Sequence, residues 1–183
     1  MKNTLIILIT FLFVANQTFG QAIVEKWDYP IKPGMEEWKK FQSNKEMVDA
    51  CQIPEHVLQN ISTNDLMILC LQYPLLFDVF AFNNKNDGLK ILFADFNGIR
   101  VFCQRKDALS NLQEKYIEEL NFFPSKLDTG YTLETVHSKV QISMLELLLS
   151  YPDFHTNSTM KEKKEVLKSL LYGYLEKIKY SDY

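Results

Sequence analysis

The chain has 183 residues, of which 46% are hydrophobic and 23% charged, and its formal net charge is −3. Those proportions belong to a globular chain and exclude a disordered or fibrous one. A mildly acidic chain has no electrostatic reason to seek nucleic acid or an anionic membrane.

The chain opens with Lys2, continues with an apolar run over residues 5–14 and reaches Thr18-Phe19-Gly20. A basic start, an apolar centre and a small residue before a cut make a secretory signal peptide. The reading predicts cleavage after Gly20 and an exported protein, resident in the periplasm, at the cell surface or outside the cell. The run is too short for a membrane span, which needs about 20 residues. No later apolar stretch is longer, so the mature form is expected not to span a membrane.

Residues 21–34 read as an extended N-terminal arm. Pro30, Pro33 and Gly34 fall close together, and proline both fixes its own φ and pushes its predecessor towards extended geometry. Trp27, Tyr29 and Ile31 would pin the arm to the rest of the chain. Trp27 and Tyr29, with Trp38 just beyond, are also the candidate binding residues, since aromatics away from a helical core stripe suit a sugar or a protein partner.

Residues 35–183 read as a single helical domain. A short helix is expected over 35–42. Ser43 and Glu46 fit a capping box before Met47, Val48 and Cys51. Pro54 suits the first turn of a short helix carrying Val57 and Leu58. Ser62 and Asp65 offer the next cap, followed by Leu66, Leu69, Cys70 and Tyr73 on one helical face. Pro74 ends that helix or starts another with Leu75, Leu76, Val79 and Phe80. A turn at residues 83–86 precedes helical spacing over 89–96. Asn97-Gly98 is expected to be a helix C-cap rather than a hairpin, because glycine tolerates the left-handed conformation found there.

Asp107 is expected to cap a helix bearing Leu109, Leu112, Tyr116 and Leu120. Residues 121–130, with Pro124 and Gly130, read as the longest loop. Helical spacing returns with Val140, Met144, Leu147, Leu148 and Tyr151. Residues 152–157 break it. The last helix carries Leu167, Leu170, Leu171, Tyr174, Leu175 and Ile178 as an unbroken apolar stripe, opposite a charge-paired face over 161–168. No segment alternates like a strand, so the fold is expected to be all-α, a compact multi-helix domain. Segment 68–74 echoes segment 146–152, each ending in Tyr-Pro, which raises the arrangement of two related helical-hairpin halves.

Cys51, Cys70 and Cys103 are an odd set for an exported chain. Their spacing matches no zinc motif. Each lies among apolar residues, so core packing is the leading reading and one disulfide the next. Glu134 and His137 form a lone E-x-x-H, which offers too few ligands for a bundle metal site. Asp153 and His155 share a loop without partners, and His56 is expected to be exposed. There is no glycine-flanked serine or cysteine and no phosphate-cradling loop. No catalytic residue, cofactor or metal is therefore assigned.

Several short motifs occur in order from Trp27 to Tyr116. They are Tyr29-Pro30-Ile31 with Pro33-Gly34 and Glu37-Trp38, then Cys51-Gln52-Ile53-Pro54-Glu55, Tyr73-Pro74-Leu75 with Asp78, Ala81-Phe82-Asn83 and Phe96-Asn97-Gly98. As a set they resemble a family of uncharacterised exported bacterial helical domains. The resemblance implies export and helical architecture and brings no activity with it. The functional expectation is an exported interaction module with a protein or surface-polymer (glycan) partner. The alternatives are a hydrolase with dispersed acidic residues and a structural or chaperone-like envelope protein.

Overall fold

The computed structural model describes residues 27–127 and 132–179. The expected signal peptide and its cut after Gly20 lie outside them. The described residues are all-α: eight α-helices and three short 3-10 turns, with no strand among them. The helices are α1 (Asn44–Ala50), α2 (Glu55–Asn60), α3 (Thr63–Leu71), α4 (Lys85–Asp95), α5 (Asn97–Cys103), α6 (Ala108–Leu127), α7 (Leu133–Ser150) and α8 (Met160–Lys179).

The axis of the domain is α6. It packs against α3, α5, α7 and α8. Leu109, Leu112, Tyr116, Leu120 and Phe123 recur at helical spacing along it and are all buried, which is the apolar stripe of a core-facing helix. This burial explains why the expected loop over 121–130 is wrong in its first part. The helix runs through Pro124 to Leu127. A proline inside a helix costs about 3 kcal/mol, and the packing of Leu120 and Phe123 on either side of that turn offsets it.

The caps follow local chemistry. Ser43 Oγ accepts from the Glu46 N–H at 3.3 Å, and Ser62 Oγ from the Asp65 N–H at 3.1 Å. The expected box at Ser43 is displaced by one residue, because the Glu46 carboxylate accepts from Gln42 N–H at 2.8 Å. Two reciprocal caps went unread in the sequence. Thr132 and Thr135 bond each other's backbone N–H at the start of α7. Thr159 and Glu162 do the same before α8, at 3.2 and 2.7 Å. The expected helix over 35–42 is only a 3-10 turn at Trp38–Lys40, with no capping side chain and no buried residue to hold a longer one.

Asn97-Gly98 is not a C-cap. Asn97 begins α5, and Gly34 is the described glycine with positive φ. Gly98 is required for space: a Cβ there would lie 2.4 Å from Phe96 Cζ and 2.8 Å from Ile53 Cδ1. Asn97 turns back onto the 51–54 loop. Its Nδ2 donates to Ile53 O at 2.7 Å, and its Oδ1 accepts from Ile53 N–H at 3.0 Å. Gln52 completes the clasp, accepting from Asn97 N–H at 3.1 Å and donating to Asp95 O at 3.0 Å. Tyr73 stacks on Phe96 beside it, with ring centroids 4.0 Å apart.

The last helix is the largest correction. Of its stripe, Leu170 alone packs against the core, and it stays half-buried. Val166, Ser169 and Gly173 are buried instead, while Leu167, Leu171, Tyr174, Leu175 and Ile178 are exposed. The reason is a polar lock on the inner side. Gln113 Nε2 donates to Ser169 Oγ at 2.8 Å. Glu146 accepts from Tyr116 OH and from Lys177 Nζ, both at 2.7 Å. A Cβ at residue 173 would stand 1.8 Å from Tyr116 OH, so only glycine lets α8 approach.

The clasp predicts that Asn97→Ala, which leaves both Ile53 backbone groups without that partner, lowers stability by about 2–3 kcal/mol. Urea titration reads the change. A loss below about 0.5 kcal/mol would show that water replaces the amide at no cost.

Candidate ligand-binding site at the N-terminal arm

The arm is fastened by one residue. Tyr29 is 3% exposed, and its hydroxyl donates to Leu69 O in α3 at 2.9 Å. A buried tyrosine needs such a partner for its polar end. Burial is also the main reason its hydroxyl is held well above the ordinary tyrosine range. Trp27 sits edge-on against Tyr29, centroids 4.9 Å apart, and stays half-buried.

Trp27 forms one side of a cleft of about 760 Å3. Asn60, Ser62, Asp65 and Gln72 supply the polar lining, and Ile61 and Ile68 an apolar floor. Asp65, Ile68 and Gln72 share the solvent side of α3 by their i, i+3, i+7 spacing. The loop at the cleft's edge is fixed from behind. Arg105 donates to Leu58 O at 2.8 Å and to Ile61 O at 2.7 Å, satisfying carbonyls at the end of α2. Thr63 Oγ1 donates to Asp107 Oδ1 at 2.9 Å, so the start of α6 braces the same corner.

Of the candidate binding residues, the structure brings Trp27 and Tyr29 together. Tyr29 is buried, so it positions Trp27 rather than meeting a ligand. Trp38 packs edge-on against Phe41, centroids 5.5 Å apart, and does not line the cleft. The sequence reading missed Asn60, Asp65 and Gln72 as cleft residues. The readable signal was the polar side of the α3 wheel, opposite Leu66, Leu69, Cys70 and Tyr73.

The other chemical candidates disperse. His137 is exposed and lies edge-on to Phe77 at 6.1 Å. His155 Nε2 bonds Leu149 O at 2.6 Å, which caps the end of α7. His56 is exposed. Among the described residues no group of three or more His, Cys, Asp or Glu is placed to hold a metal ion. Asp78 and Asp95 border a separate cavity of about 270 Å3, beside Tyr73. Both carboxylates are exposed. Partial burial raises the Asp78 carboxyl above its ordinary value.

All three cysteines are free thiols. Burial pushes Cys51 from 9.0 up to about 11. Burial, then the nearby Asp153 charge, pushes Cys103 up to about 11, and burial raises Cys70 well above 9.0. Thiols held protonated in this way are poor nucleophiles at neutral pH.

No protein-family model matches the chain, and comparison with curated proteins and with solved structures finds no match.

These thiols set a pH dependence with a definite sign. The unfolded chain releases the thiol protons near 9.0, whereas the folded chain holds those of Cys51 and Cys103 until about 11. The folded state binds more protons in that window, so unfolding becomes easier as pH rises through it. The urea midpoint is expected to hold below about pH 8.5 and to fall between about 9 and 11. Replacing Cys103 by Ala is expected to make that fall shallower. A midpoint flat through pH 11 would contradict it.

Proposed function

We propose that this chain is an exported, non-enzymatic binding module whose arm cleft takes a hydroxyl-rich polymer of the glycan type. One observation carries the reading: Trp27, held edge-on by the anchored Tyr29, lines the same 760 Å3 cleft as Asn60, Ser62, Asp65 and Gln72. An indole supplies a flat apolar platform for the C–H face of a sugar ring. Asn60, Asp65 and Gln72 supply the few directional hydrogen bonds that orient a bound ligand, with the Ser62 hydroxyl donating to Asp65 Oδ2 at 2.6 Å. Because Tyr29 and Arg105 hold the two sides, little ordering remains to oppose binding.

Export belongs to the same proposal. It rests on Lys2, the apolar run over 5–14 and the small residue Gly20. Membership of the resembled family of exported bacterial helical domains is likewise proposed, on the Tyr29, Cys51, Tyr73 and Phe96 motifs.

Titration calorimetry against soluble polysaccharides and oligosaccharides tests the proposal. The native chain is expected to bind at least one, and Trp27→Ala to weaken that binding by tenfold or more, about 1.4 kcal/mol. Tyr29→Phe keeps the ring contact and is expected to retain most of the affinity. Unchanged affinity in Trp27→Ala overturns the cleft as the site. Release of shortened glycan overturns the non-enzymatic part.

A further inference from the structure

The inner side of α8 is built of Val166, Ser169 and Gly173, with Leu170 half-buried at its edge, and its outer side is large and apolar. Leu167 is 67% exposed, Leu171 56% and Tyr174 59%. Met160, Leu175 and Ile178 add to the same side of the helix, whose positions advance about 100° per residue. The lock at Gly173, Ser169 and Lys177 fixes this orientation, so the stripe cannot rotate inward.

The charges on α8 are one-sided too. The helix carries six lysines against three glutamates, in a chain whose net charge is −3. Each glutamate is already engaged: Glu162 by Thr159, Glu165 by Lys168 and Glu176 by Lys179. No ion pair among the described residues takes up Lys161, Lys163 or Lys164. On a helical wheel Lys163 and Lys168 flank the exposed apolar residues, Lys164 falls between Leu171 and Leu175, and the glutamates lie towards the far side. The whole-chain acidity conceals this local basic strip.

We infer that the outer side of α8 is a docking ridge for an anionic lipid surface. Leu, Ile and Tyr on one side with lysines along the edge is the composition of a helix that lies in the plane of a membrane. The lysine stems bury along the apolar boundary while their ammonium groups reach the headgroups. No described helix is long and apolar enough to cross a membrane, so the contact is peripheral. A second copy of the chain is the weaker occupant, because a self-paired α8 would set lysine edge against lysine edge. The acidity of the rest of the molecule also turns α8 towards an anionic surface and the remainder away from it. This inference does not depend on the arm cleft.

Vesicle co-sedimentation of the full chain, with phosphatidylcholine alone or mixed with phosphatidylglycerol, provides the test. Residues 1–20 are common to every variant, so differences between variants report α8. The native chain is expected to partition at least fivefold better onto the anionic vesicles, and less so as salt rises. Leu171→Glu with Leu175→Glu is expected to lower partition at least tenfold. Lys163→Glu with Lys164→Glu is expected to erase the preference for phosphatidylglycerol. All of these side chains are exposed, so circular dichroism is expected to stay native. Trp27→Ala is expected to partition normally, which separates this site from the cleft. Equal partition of the native chain and both α8 variants overturns the inference. So does absence of vesicle binding. A native dimer that Leu171→Glu with Leu175→Glu makes monomeric, without vesicle binding, assigns it to a second copy.

Discussion

The clasp between Gln52, Ile53 and Asn97 joins the loop between α1 and α2 to the junction of α4 and α5. In the 51–54 loop, Cys51 and Gln52 donate back to the end of α1 and Pro54 O accepts from the start of α2, which leaves Ile53 to find a partner outside the helices. Asn97 presents a donor and an acceptor in the geometry of a peptide group and bonds both sides of Ile53. A backbone group buried without a partner costs more than a hydrogen bond yields. This side chain, with Gln52, therefore ties the turn between α4 and α5 to the first helices.

The residues that seemed motif-like in the sequence converge on that junction. Phe96 precedes Asn97 and stacks on Tyr73. Tyr73 lies 6.3 Å from Tyr29, whose hydroxyl ends on α3. Gly98 leaves room for Phe96 and Ile53. The Tyr29, Cys51, Tyr73 and Phe96 segments are thus pieces of one packed seam. Its first requirement is structural, and the arm with Trp27 inherits a fixed position from it. The echo between segments 68–74 and 146–152 has a local counterpart here. Each tyrosine ends a helix and packs on a phenylalanine at the α4 end, Tyr73 on Phe96 and Tyr151 on Phe93.

Helix existence was legible wherever a cap and an apolar period coincided, as at Ser62 with Leu66, Leu69 and Cys70. Errors fell where a local rule met a tertiary contact. Gly98 obeys space rather than φ, and Pro124 yields to the burial of Leu120 and Phe123. The short helix expected over 35–42 has Trp38 half-buried against the core but no capping side chain and no fully buried residue, and it shrinks to one 3-10 turn. At the cleft, Trp27 was legible as an aromatic outside the helical stripes. Asn60, Asp65 and Gln72 were not, because a polar helix side looks alike whether it faces bulk water or a concavity.

Composition and periodicity alone determined that this is an all-α protein with helices near their observed places, since an amphipathic period needs only the neighbouring turn to be satisfied. The direction each helix faces was left to the tertiary structure. Periodicity pointed the leucine stripe of α8 inward, but Gly173 against Tyr116 and the pairing of Glu146 with Lys177 turned all of it except the half-buried Leu170 to solvent. A wheel ranks sides by hydrophobicity, whereas packing ranks them by fit, and here a missing side chain fitted where leucine did not.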